Sequence, residues 1–130
     1  MFAGVAALAV VPAVAQQAPD SAVTMPSGDY VIYARDTAQA SKVAIVGWPF
    51  ELKGNGNWTI TSPDGSAFAG TAKQQDGQLV LTDQTCADSG VYIVRRQGDG
   101  YVWNVKSEAC QGRDSGMTML LFRPGKPDGH

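Results

Sequence analysis

Between Gly28 and Arg123 the apolar residues come in short runs, and turn residues punctuate them at even spacing. Gly54-Asn55-Gly56, Ser62-Pro63-Asp64-Gly65, Gln75-Asp76-Gly77 and Gly98-Asp99-Gly100 are such turns. Asn-Gly and Asp-Gly supply the positive φ angles that tight hairpins need. The runs between them are rich in aromatic and β-branched residues. They predict strands at Tyr30–Tyr33, Phe50–Leu52, Trp58–Thr61, Ala67–Lys73, Leu79–Thr82, Val91–Arg95, Tyr101–Lys106 and Thr118–Phe122. Short strands at regular spacing with hairpin turns mean an all-β antiparallel up-and-down meander. About eight strands can close into a barrel, which removes the exposed edges of an open sheet.

Alternation within the runs predicts the inward faces. Trp58 and Ile60 share one face, Leu79 and Leu81 another, and Tyr101, Trp103 and Val105 a third. On the sixth run Val91 and Ile93 compete with Tyr92 and Val94. The stretch Met117–Phe122 is apolar on both faces, so alternation does not orient it. Residues 38–46 are open between one helical turn around Ala38–Ala40 and a ninth strand over Lys42–Val46.

The flanks divide the chain further. Phe2–Val11 is an apolar, uncharged run followed by Ala13-Val14-Ala15, a small-x-small pattern of the kind export peptidases cut. Residues 1–15 therefore read as a signal peptide, although no Lys or Arg precedes the apolar run. The run is too short for the roughly 20 apolar residues that cross a bilayer, and no other stretch is long enough. Residues 16–27 read as a flexible leader, residues 28–123 as the barrel domain and residues 124–130 as a disordered tail. The expected location is periplasmic or secreted. Cys86 and Cys110 are the only cysteines, and an oxidising compartment favours their joining. In an up-and-down meander alternate loops share an end, which brings the loop holding Cys86 and the loop holding Cys110 to the same rim.

Composition narrows the chemistry. Net charge is −2 with Lys and Arg scattered, so there is no basic stripe of the kind nucleic acids require. The single His is His130, the last residue. A nucleophile–base pair needs a held base, so the chain reads as a non-enzyme. Asp83, Asp88, Glu108 and Asp114 fall in the rim loops and read as solvated acids. No calcium-loop pattern and no His/Cys cluster is present, so neither a metal nor a cofactor is expected.

Three segments carry a resemblance: Asn57-Trp58-Thr59-Ile60, Cys86-Ala87-Asp88-Ser89-Gly90-Val91-Tyr92 and Glu108-Ala109-Cys110-Gln111-Gly112-Arg113. Over about Phe50–Arg123 the chain resembles the small exported bacterial lipocalin-like (calycin-type) β-barrels. That resemblance implies a barrel that takes a small apolar or amphipathic molecule. Lipocalins open with Gly-x-Trp, and an Arg of the last strand packs over the Trp. Here Gly28-Asp29-Tyr30 stands in that place, with Arg123 as the candidate partner.

The candidate binding residues are the large side chains expected in the interior: Trp58, Phe68, Tyr92, Trp103, Met117 and Met119. They either fill an eight-stranded barrel or line a cavity for one small ligand. At the rim Asp88 and Arg113 are candidates. Arg113 either meets a ligand carboxylate or pins the neighbouring loop through carbonyls or Asp88. The alternative to a small-molecule binder is a protein-binding module, such as a hydrolase inhibitor, acting through the disulfide-tied loops from Thr82 to Gly90 and from Ser107 to Gly116. A structural envelope protein is a third reading. Nothing in the chain specifies oligomeric state.

Overall fold

A computed structural model describes residues 21–126. The segment expected to be a signal peptide and the start of the expected leader lie outside the described residues, as do residues 127–130 of the expected tail. The elements run β1 (Gly28–Ala34), a 3-10 helix (Thr37–Lys42), β2 (Pro49–Leu52), β3 (Asn57–Thr61), β4 (Ala67–Gln75), β5 (Gln78–Asp83), β6 (Cys86–Gln97), β7 (Gly100–Glu108), helix α1 (Arg113–Thr118) and β8 (Leu120–Pro124). Each strand pairs antiparallel with the next, and β8 returns to β1 through Tyr30↔Pro124 to Ala34↔Leu120. The sheet is thus a closed eight-stranded meander barrel.

The turn chemistry explains the register. Asp76 and Gly77 both take positive φ, 54° and 79°, as an Asp-Gly hairpin between β4 and β5 requires. Residues 38–46 form no strand. Asp36 caps the 3-10 helix by accepting a hydrogen bond from the Ala38 amide at 3.0 Å. The chain then folds back, with the Gly47 amide donating to the Ile32 carbonyl at 2.7 Å. The eighth strand begins two residues later than the sequence pattern suggests. Thr118 is the last residue of α1, which follows Gly112 in the left-handed region at φ 86°.

The inward faces agree with alternation at Trp58, Ile60, Leu79, Leu81, Tyr101 and Trp103, all buried. On β6 it is Tyr92 and Val94 that are buried. Val105 departs from expectation and is 41% exposed. β7 pairs with β8 only at Tyr101↔Phe122 and Val102↔Leu121. Val105 stands beyond that seam, next to the slip in the β6–β7 ladder between Val91 and Tyr92.

Large rings fill the middle of the barrel. Phe50 packs on Phe122 at 4.6 Å between centroids, on Trp58 at 5.8 Å and on Trp103 at 6.2 Å. Trp103 meets Phe122 at 4.8 Å and Tyr92 at 6.1 Å. Tyr30 is buried, but Arg123, the partner expected for it, does not cover it. Arg123 lies outside, over the Tyr33 ring at 5.3 Å and paired with Asp99 at 3.0 Å. Its register partner on β1 is Val31, one residue out of phase with Tyr30, which places it on the opposite face.

The described part of the leader is docked rather than free. Gln74 clamps Met25 from both sides, accepting from its amide at 2.7 Å and donating to its carbonyl at 2.8 Å. The Val23 amide donates to the Val94 carbonyl at 2.9 Å. Met25 is 1% exposed, and its Sδ accepts the Trp103 indole N–H at 3.4 Å. Residues 21–27 thus form a strap across the end of the barrel at which β1 begins, here the lower mouth. At the other flank Pro124 belongs to β8, so the strand runs one residue past Arg123.

Candidate functional site: the stapled rim and the lower mouth

The rim lies at the end opposite the strap. Cys86 and Cys110 are joined by a disulfide with their Cα atoms 6.3 Å apart, as the loop arithmetic expected. Beside it the Arg113 side chain enters the barrel end and is only 7% exposed. Its Nε donates to Glu108 Oε1 at 2.9 Å, and Nη1 donates to Asp83 Oδ2 at 3.0 Å and to the Cys86 carbonyl at 3.1 Å. Nη2 donates to the carbonyls of Leu81 at 3.2 Å and Asp88 at 2.6 Å, and to Glu108 Oε2 at 2.8 Å. Of the two roles open for Arg113, the geometry is that of the pin. Its contact at Asp88 is the carbonyl, while Asp88 itself is exposed.

Asp83 and Glu108 depart from the reading of the rim acids as solvated. Their side chains are 6% and 5% exposed. The Tyr92 hydroxyl also donates to Glu108. Gly90 leaves the room this needs: a Cβ there would collide with the Glu108 carboxylate. Burial alone would push both carboxyls up. Hydrogen bonds from Thr85 and Arg113 to Asp83, and from Arg113 and Tyr92 to Glu108, outweigh it and hold both below their ordinary range. Arg113 is pushed up, chiefly by Glu108. Burial, then the bond to Glu108, pushes Tyr92 up and keeps its proton in place as a donor.

A pH dependence follows. Depressed folded pKa values mean that the unfolded chain binds more protons, so the stabilisation is present above the ordinary carboxylate range. It is lost as pH falls through the lower folded values. Urea unfolding of the protein should give a level midpoint near neutrality and a falling one below about pH 4, where free Asp and Glu titrate. Asp83→Asn should remove part of that acid slope.

The six interior candidates fall into two groups. Trp58, Tyr92 and Trp103 are fully buried in the ring cluster. Phe68, which meets Trp58 at 5.7 Å, and Met117 and Met119 are half-buried and pack against it. Their arrangement is a filled core rather than the lining of a central cavity.

Open grooves lie instead at the barrel surface, one of about 430 Å³ beside Trp58, Gly70 and Asp83 and one at the lower mouth. A groove of about 390 Å³ runs between the strap and the β2–β3 turn. Met25, Leu52 and Ala72, all buried, form its apolar floor. Lys53 and Lys73 stand on its wall with Asn55, and no acidic residue lines it. The strap side is tied down by Tyr30, whose hydroxyl donates to the Pro26 carbonyl. Burial, and then the nearby Tyr101, pushes the Tyr30 phenol up to about 12.

Sequence reading missed this groove. Lys53 and Lys73 are 20 positions apart, and only the β3–β4 pairing, with Asn57 opposite Thr71, brings their neighbourhoods together. Among the described residues no group of three or more His, Cys, Asp or Glu could hold a metal. No helix among them is long and apolar enough to cross a membrane. Comparison with known protein families, with curated proteins and with solved structures finds no match for this chain.

Proposed function

We propose that this chain is an exported, non-catalytic, calycin-like barrel that binds a small amphipathic anion at its lower mouth. The groove beneath the strap carries the reading: an apolar floor, two lysines on the wall and no carboxylate. Its volume falls at the lower end of the roughly 300–1,000 Å³ typical of small-molecule sites. The ring cluster takes the space a calyx would use, so the ligand sits at the mouth and not among Trp58, Tyr92 and Trp103. The disulfide supports export to an oxidising compartment. Non-catalytic use is supported by Asp83 and Glu108, the two buried rim acids, which are committed to the Arg113 network.

Titration calorimetry with dodecanoate, a probe with one carboxylate and a flexible apolar tail, tests this. Lys53→Glu/Lys73→Glu should weaken binding about tenfold, the sum of two partly exposed charge contacts turned from attractive to repulsive. Equal affinity in the variant, or no binding by the parent protein, would remove the mouth from consideration.

The rim favours a second use, as a protein-binding surface. Its β5–β6 and β7–β8 loops are held by the disulfide and by Arg113, which lowers the entropy lost on docking. A partner retained by the immobilised protein but not by Cys86→Ser/Cys110→Ser would support that use, and equal retention would speak against it.

A further inference from the structure

The disulfide and the Arg113 network join the same two segments. Cys110 and Arg113 lie on one side, in the connection after β7. Cys86 and the acceptors of Leu81, Asp83, Cys86 and Asp88 lie on the other, at the β5–β6 corner. Glu108 holds its own side to Arg113 and, through its Oε2, to the Cys110 amide at 3.1 Å. From these contacts we infer that the rim is a double latch, which opens only when the disulfide is reduced and the pH is acidic together.

Either tie suffices alone because each spans the same gap. Reduction breaks the sulfur–sulfur bond and forms two thiols. With a phosphine, one water supplies the two protons and its oxygen becomes the phosphine oxide oxygen. At neutral pH the guanidinium, Asp83 and Glu108 stay charged, so Arg113 still holds the corner. Acid protonates Asp83 and Glu108, so the buried guanidinium loses both counter-charges. It keeps only the carbonyls of Leu81, Cys86 and Asp88, too little to hold an uncompensated charge in the corner, but the covalent link remains. The other groups facing this network are the Tyr92 hydroxyl, which keeps its proton, and Asp114, which lies near Tyr92. Asp88 contributes its carbonyl, and its exposed carboxylate takes no part.

Amide hydrogen exchange reads the latch without any variant. Protection factors, corrected for intrinsic exchange, are followed from pH 7 down to about pH 1.5, far enough below the ordinary carboxylate range to pass the depressed values of Asp83 and Glu108, with and without a phosphine. Acid alone and reductant alone should each leave residues 84–90 and 109–112 protected to within about tenfold. The combination should lower their protection by at least about tenfold more than the product of the two, as expected for coupled contacts. Amides of Tyr92, Val94 and Trp103 should keep theirs. Cys86→Ser/Cys110→Ser in acid, without reductant, should reproduce the combined state. Simple additivity, full opening by either condition alone, or loss of the Tyr92 and Trp103 amides together with the rim would each overturn the latch.

Discussion

Replacing Arg113 with methionine should lower the unfolding free energy at pH 7 by about 3–5 kcal/mol, the cost of leaving buried charges without their partner. Methionine keeps much of the stem volume but supplies none of the six hydrogen bonds. Two carboxylates would be left more than nine-tenths buried, with only Thr85, Tyr92 and nearby backbone amides to solvate them. Arg113→Lys should restore only part of the loss, because an ammonium cannot reproduce the planar fork that meets Glu108 through two nitrogens. Denaturant unfolding of the three proteins decides this. The deficit should shrink below about pH 4, where protonation neutralises the stranded acids. A deficit under about 1 kcal/mol at neutral pH would mean the network has the weight of an exposed ion pair.

The second large effect is expected at Trp103. Truncation to alanine should cost about 3–5 kcal/mol, from lost burial and from the cavity left behind. Trp103 is fully buried and touches Phe50, Tyr92 and Phe122. It is also the strap's anchor, through its N–H to Met25 Sδ. The variant should therefore exchange its 22–27 amides faster than its β4–β5 amides, while Trp103→Phe keeps most of the ring packing and loses chiefly the strap contact. Unfolding curves give the first quantity and hydrogen exchange the second. A Trp103→Ala protein as stable as the parent would contradict a filled interior.

Much of this fold could be read from punctuation. Asp76-Gly77 and Gly98-Asp99-Gly100 mark hairpins because few other residues take the angles required, so the strands between them follow. The pairing of Cys86 and Cys110 followed from their being the only two cysteines, and counting loops placed both at one rim. Side-chain alternation placed Trp58, Leu79 and Trp103 inside because a strand's period of two is rigid. It misplaced Val105 because a bulge and a two-pair seam are properties of the neighbouring strands, not of β7's own sequence.

Long-range contacts were the illegible part. Nothing local to Val23-Thr24-Met25-Pro26 distinguishes a docked strap from a free leader. Its burial depends on Gln74, 49 residues away, and Trp103, 78 residues away. The same holds for the rim acids. Four carboxylates looked alike in sequence, and only the position of Arg113 selects Asp83 and Glu108 for burial while leaving Asp88 in solvent. The spacing of Glu108 and Arg113, five apart around Cys110, was the available hint.

The most direct measurement is a ¹⁵N–¹H chemical-shift titration of the protein with dodecanoate. Binding at the lower mouth should move the amides of Thr24, Met25, Ser27, Lys53–Gly56 and Ala72–Gln74 in a saturable way, with Trp103 following through Met25 and the Cys86–Gly90 rim unmoved. Saturable shifts centred on Tyr92 and the rim, or no saturable shift at all, would contradict lower-mouth binding.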